Sequence, residues 1–131
     1  MKVKPVPDGY YTVTPYITVK GASQLITFLK KGFDAKEIEV SKGPDGNVMH
    51  ASIQIGTSRI MLAEATEKYK PMPAAFYLYV DDTDAYYKKA LAAGGTSEME
   101  PADQFYGDRN ADVKDPFGNI WWIATHIEDV S

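Results

Sequence analysis

Histidine is the residue type in this chain best suited to acid–base chemistry near neutral pH, because its imidazole titrates there. The sequence has two, His50 and His126. His50 falls on the polar side of an alternating apolar–polar segment, together with Ser52 and Gln54. From that face it would donate a hydrogen bond to a ligand or exchange a proton with it. The alternative is a structural histidine held by hydrogen bonds on the same face.

Aromatic side chains offer a second kind of chemistry, which is stacking on a flat or amphipathic ligand. Strand alternation predicts one shared face for four side chains, Tyr16, Thr18, Tyr77 and Tyr79. The same alternation sends the adjacent Trp121 and Trp122 to opposite faces, so only one of the two can line a cavity. The competing interpretation of these aromatics is packing in the core or at a dimer interface.

A polar loop in the second half of the chain carries further candidates, Tyr106, Asp108 and Arg109. Loops that overhang a cavity often carry function. Arg109 would pair with an anionic ligand there. Its alternative is an internal salt bridge, which an arginine beside an aspartate commonly forms.

Two helices and eight strands would position these residues. Strands are predicted at 12–19, 36–42, 48–55, 59–63, 75–80, 96–100, 109–114 and 120–126. Helices are predicted at 21–33 and 82–93. Gly32 is predicted to be the C′ residue that ends the first helix, and an acidic N-cap opens the second.

The order of elements repeats. A shift of 61 residues lays Tyr16 on Tyr77, and a shift of 62 near the module ends lays Glu64 on His126. The sequence therefore predicts one α+β domain of two β-α-β-β-β modules, at about 10–64 and 75–127, joined by a connector at 65–74. Each sheet would carry its helix on one face and turn the other, concave face toward a central cavity.

Three stretches resemble the vicinal-oxygen-chelate superfamily of glyoxalases, bleomycin-resistance proteins and extradiol dioxygenases, and in particular its PhnB-like branch. They are GYYTVTPYITV from Gly9, the segments His50-Ala51, Ile55-Gly56 and Arg59 to Ala63, and YGDR with VKDPFGNIWWIATHIED toward the C-terminus. The resemblance implies a cavity for a small molecule and a homodimer.

Many enzymes of that superfamily hold a divalent metal through one side chain from the first and last strand of each module. By register these positions fall on Thr14, Ala75, Trp122 and either Ile60 or Leu62, none of which is a usual metal ligand. This register also selects Trp122 as the indole lining the cavity. The resemblance therefore favours a protein without a cofactor.

The alternative is one divalent metal ion at a displaced site formed by His50, Glu64 and His126, in a lyase, isomerase or dioxygenase. The competing interpretation is that Glu64 and His126 are polar groups at strand ends, in contact with solvent or with an interface. Whether the chain catalyses a reaction is left open by its sequence.

Composition excludes several other classes of function. With 14 basic against 18 acidic residues and a net charge of −4, the chain is not expected to bind nucleic acid. No apolar run is long enough for a membrane span, and no signal peptide is evident, which predicts a cytoplasmic protein. The absence of cysteine excludes disulfides and a thiol nucleophile.

Overall fold

A computed structural model describes residues 3–130 and contains two four-stranded sheets, each covered on one face by a helix. The first module comprises β1 (Tyr16–Val19), α1 (Ala22–Phe33), β2 (Lys36–Lys42), β3 (Val48–Ile55) and β4 (Ser58–Glu64). The second comprises β5 (Ala75–Tyr79), α2 (Thr83–Ala92), β6 (Thr96–Asp103), β7 (Asp108–Lys114) and β8 (Ile120–His126). The strand orders are β1-β4-β3-β2 and β5-β8-β7-β6. The predicted α+β fold of two β-α-β-β-β modules is confirmed.

The two helices pack against each other as well as against their own sheets. The predicted helix range to Phe33 is correct, but the assignment of Gly32 as the residue just after the helix is wrong. The helix continues to Phe33, and Asp34 takes the left-handed conformation after it, with φ of 56°. Gly32 serves a different purpose, because a Cβ there would lie 3.3 Å from the Cα of Ala90 in α2. The glycine permits the close approach of the two helices.

The start of α2 agrees with its prediction, since the Asp82 carboxylate accepts a hydrogen bond of 3.1 Å from the Ala85 amide. Strand β1 is shorter than predicted, and β6 is longer. Val48 is buried and Met49 is exposed, which reverses the predicted alternation at the start of β3. The pairing of β3 with β2 slips at this end, so the alternation cannot continue through it. Within residues 3–130, no helix combines the length and apolar character needed to cross a bilayer.

Strand pairing shows how the modules correspond. Tyr16 lies opposite Met61 in the parallel pair β1–β4, and Tyr77 lies opposite Trp122 in the parallel pair β5–β8. One shift of 61 residues therefore relates both the first and the last strands. The first-module equivalent of Trp122 is Met61, so the prediction of Ile60 or Leu62 is wrong. Those two residues are buried on the helix side of the sheet.

The same register makes Thr125, not His126, the equivalent of Glu64, and their contacts agree. Glu64 accepts hydrogen bonds from the amides of Gly21 and Ala22 at the start of α1, the shortest being 2.9 Å. The Thr125 hydroxyl accepts one of 3.0 Å from the amide of Thr83, the first residue of α2. Both residues thus satisfy free amides at a helix N-terminus, and the predicted match of Glu64 with His126 is wrong.

Candidate functional site

The turn before β8 decides which tryptophan enters the core. Within DPFGN, the Asp115 carboxylate is buried and accepts hydrogen bonds from the amides of Phe117 and Asn119, at 2.8 and 3.0 Å. It also accepts bonds from the Asn119 side-chain amide, at 2.9 Å, and from the Trp121 indole N–H, at 2.8 Å. The motif is therefore a structural element that directs Trp121 toward the helices.

Trp121 is fully buried, with its ring centroid 5.3 Å from that of Phe33 and 4.5 Å from that of Phe76. Because successive strand residues alternate, Trp122 lies on the opposite face. We call this surface, away from the helix, the open face of each sheet. There the rings of Trp122 and Tyr77 stack, with centroids 6.4 Å apart and planes inclined by 24°. The predicted strand parity is confirmed, and the ligand-binding role stays a prediction.

The open face of the second sheet also carries a cluster centred on Asp108, whose side chain is only 6% exposed. Its Oδ2 accepts hydrogen bonds from the hydroxyls of Tyr77, at 2.6 Å, and Tyr79, at 3.0 Å. Its Oδ1 lies 3.0 Å from Nδ1 of His126. One carboxylate thus orients two tyrosine rings and an imidazole.

These contacts fix the charge of the cluster. Burial and the bond to Asp108 raise the pKa of Tyr77 well above its usual value, so the hydroxyl stays protonated. The bonds from Tyr77 and His126 lower the pKa of Asp108. Asp108 is therefore an ionised acceptor near neutral pH, and Tyr77 is a neutral donor that presents its ring to the open face.

His126 lies between two carboxylates, with Nε2 2.7 Å from Oδ1 of Asp129 in addition to the contact with Asp108. The bonds to Asp129 and to Asp108 raise the pKa of His126. Both ring nitrogens are thus engaged by carboxylates, Nδ1 with Asp108 and Nε2 with Asp129.

Asn110 extends the cluster to the loop. Its Nδ2 donates to the hydroxyl of Tyr106 at 2.7 Å and to that of Tyr77 at 3.1 Å. Tyr106 therefore joins the open face, and its predicted role in ligand binding stays a prediction. Asp108 was selected from the sequence as part of the loop, whereas Asn110 and Asp112, which share its strand face, were not singled out. The alternation of DRNADV placed these three polar residues on one side of the strand and could have revealed them.

The first sheet carries the remaining candidates. The His50 ring lies 5.9 Å from that of Tyr16, and its Nδ1 lies 3.4 Å from a Glu39 carboxylate oxygen. Ser52 is buried. The Gln54 carbonyl accepts a 3.0 Å bond from Arg59, and its amide donates to the Gly56 carbonyl, so this side chain is engaged in the β3–β4 turn.

Arg109 does not join the open face. Its guanidinium pairs in a bidentate manner with Asp84 of α2, at 2.7 and 2.9 Å, and contacts Asp103 at 3.0 Å. These contacts lie on the helix side of the second sheet. Of the two interpretations of Arg109, the internal salt bridge is the one observed.

A cavity of about 500 Å³ lies at the junction of the modules. Tyr77 and Tyr79 line it together with the N-terminal segment and the β3–β4 turn, whereas His50 and Trp122 do not. This cavity does not unite Tyr77, Trp122 and His50, and their shared site stays a prediction.

The residues at the superfamily's metal positions do not fit a metal ion. With the corrected register these are Thr14, Met61, Ala75 and Trp122, which offer at most a hydroxyl and a thioether. The displaced set is not assembled either, because His50, Glu64 and His126 each have the other partners described above. Among residues 3–130, no group of three His, Asp or Glu side chains is arranged to hold a metal.

The fold belongs to a known class. Residues 10–123 match the Glyoxalase/Bleomycin resistance protein/Dioxygenase superfamily, and the chain is a member of that superfamily.

Several individual proteins are similar to this chain in sequence or in fold. It is 34% identical over 130 residues to an uncharacterized protein of Mycobacterium tuberculosis, covering 91% of this chain and 76% of the relative. TioX from Micromonospora sp. ML1 superposes with a TM-score of 0.73 at 19% identity, over 88% of this chain and 99% of TioX. The PhnB protein from Bacillus cereus gives 0.71 at 17% identity, over 88% and 99% of the two chains. Both structures share the fold.

Proposed function

We propose that this protein binds a small organic molecule on the open face of its sheets without a metal ion, through the stacked rings of Tyr77 and Trp122. The observation that carries the proposal is this stacked pair, 6.4 Å apart, on a face not covered by the helix. Large aromatic side chains are normally buried, yet Tyr77 remains 42% exposed and Tyr79 66% exposed. A ligand would cover apolar ring surface that the chain leaves in contact with solvent.

The Asp108 cluster supports the proposal because it fixes the rings in advance. Both tyrosine hydroxyls donate to a single carboxylate, so their orientations are set before a ligand arrives. A site that is already ordered loses less conformational entropy on binding. Burial and the bond to Asp108 also raise the pKa of Tyr77, so its hydroxyl remains a neutral hydrogen-bond donor near neutral pH.

Nuclear magnetic resonance can test the proposal. The chain has only two tryptophans, so their two indole N–H signals can be told apart. The indole N–H signal of Trp122 reports on the open face and that of Trp121 on the core, and a Trp122→Phe variant assigns them. We expect 2-naphthol, a neutral aromatic probe, to shift the Trp122 signal saturably and leave the Trp121 signal in place. A shift confined to Trp121 would place binding at the junction cavity and contradict the proposal.

Because Thr14, Met61, Ala75 and Trp122 are poor metal ligands, we expect the purified protein to contain no stoichiometric transition metal. Elemental analysis of protein prepared without a histidine tag is expected to give well below one Ni, Zn, Mn or Fe per chain. About one metal ion per chain that survives mild purification would instead support the superfamily's metal chemistry.

We further propose that a second copy of the chain completes the site. The first sheet exposes Tyr16 at 55%, and β5 pairs only with β8 in the part of the chain that the structure describes. Exposed aromatics beside an unpaired strand edge are typical of an interface. Light scattering at micromolar concentration is expected to give twice the mass of one chain. Tyr16→Glu should weaken the dimer, whereas Tyr69→Glu, at an exposed aromatic in the connector, should not. A monomeric wild-type protein would contradict the proposal.

A further inference from the structure

The hydrogen bonds of Asn110 leave its carbonyl oxygen without a partner. Tyr77 has one hydroxyl hydrogen, which it donates to Asp108 at 2.6 Å. The Asn110 group 3.1 Å from the same hydroxyl must therefore be the NH₂, since Tyr77 can only accept there. This leaves the Oδ1 atom of a fully buried side chain as an unsatisfied acceptor. Such an atom is costly unless a donor reaches it.

A second unsatisfied acceptor lies two residues further along β7, where side chains return to the same face. Oδ1 of Asp112 is buried and has no hydrogen-bond partner among residues 3–130. Burial, and after it the charge of Glu98, raises the pKa of the Asp112 carboxyl. No salt bridge joins Asp112 to any lysine or arginine of the described chain, although Lys114 follows it on the same strand face. The carboxylate therefore lacks a counter-ion.

Strand pairing places one aromatic ring beside this carboxylate. Asp112 is the strand-pairing partner of Trp122 on β8, and side chains of such partners are direct neighbours on one face. Trp122 in turn stacks with Tyr77. An indole face attracts cations, and an adjacent unpaired carboxylate adds to that attraction. Arg109, the nearest arginine in sequence, is held on the other side of the sheet by Asp84 and Asp103.

We propose that the open face of the second sheet selects an organic cation with N–H donors on an aromatic or apolar body, and that Asp112 is its counter-ion. The N–H groups, as in a primary ammonium or guanidinium, would satisfy the free oxygens of Asp112 and Asn110, and Trp122 would cover the cation. The inference rests on the proposed function, because it names the ligand class of that same site. The net charge of −4 attracts such ligands over longer distances.

Two matched probes test the charge requirement. Phenethylammonium and phenethyl alcohol have the same aromatic body, and only the first carries a cationic N–H group. We expect the ammonium to shift the Trp122 indole signal with at least about tenfold higher affinity, the ratio that one charge-assisted hydrogen bond provides. Asp112→Asn should abolish this preference. Asp81→Asn removes the same charge from an exposed turn and should leave the preference intact.

Three results would overturn the inference: equal affinities for the two probes, an unchanged preference in Asp112→Asn, or an equal loss in Asp81→Asn. Thermal unfolding of each variant checks that the fold is retained. If 2-naphthol shifts the Trp122 signal while the two phenethyl probes bind equally, the inference fails and the proposed function stands. If no probe shifts that signal, both fail.

Discussion

Replacing Asp115 with alanine is expected to lower the free energy of unfolding by about 3 kcal/mol, because buried donors lose their acceptor. The carboxylate accepts four hydrogen bonds, including the bond from the Trp121 indole. Trp121 is fully buried and no solvent replaces that bond. Since small domains are stable by about 5–15 kcal/mol, the loss is large. Urea denaturation monitored by circular dichroism measures it.

A matched control exists in the first module. Asp45 makes similar bonds to Asn47, from the amide at 3.0 Å and from the side chain at 3.2 Å, but in an exposed hairpin. Asp45→Ala should therefore cost less than about 1 kcal/mol. If Asp115→Ala does not accumulate, Asp115→Asn serves in its place, because asparagine cannot accept from every donor that the carboxylate serves. If the two alanine variants lose the same free energy of unfolding, the structural role of the DPFGN turn is refuted.

Replacing Trp122 with alanine is expected to weaken the binding of 2-naphthol at least about tenfold, because the ligand loses both the stacking contact and its apolar contact area. Trp122 also stacks on Tyr77, so its removal leaves one ring face without support. The affinity is measured by titrating 2-naphthol and monitoring the nuclear magnetic resonance signals of residues on the open face. Calorimetry provides an independent value.

Two variants make this test specific. Trp122→Phe retains an aromatic face and should stay within a few fold of the wild-type affinity. Tyr69→Ala removes an exposed ring from the connector and should have no effect. If Trp122→Ala binds as tightly as the wild type, the site lies elsewhere and the proposed function is wrong.

The strands and helices could be predicted because local patterns determine them. Alternation placed Trp121 and Trp122 on opposite faces, and the acidic residue at position 82 indicated the start of α2. Gly32 misled the prediction because its role is set by α2, more than fifty residues away in sequence. A glycine that permits a tertiary contact cannot be distinguished locally from one that ends a helix.

The candidate site was only partly predictable for a related reason. The rings of Tyr77 and Trp122 follow from alternation, but the partners of His126 do not, because Asp129 reaches it only after the chain turns beyond β8. The match of Glu64 with His126 was wrong by one residue. Little identity remains between the modules, so only strand pairing and the equivalent helix contacts of Glu64 and Thr125 reveal the register.

The bond between Asp115 and the Trp121 indole resolves an ambiguity that hydrophobicity leaves open. Trp121 and Trp122 are equally hydrophobic, so hydrophobicity does not determine which of them is buried. A shift of one residue in the pairing of β8 would exchange their faces. The buried carboxylate accepts only one indole N–H, at 2.8 Å, and so distinguishes two side chains of identical chemistry. Its contribution is thus one of specificity as well as stability. Without it, β8 would have a competing alignment in which the open face and the core exchange residues.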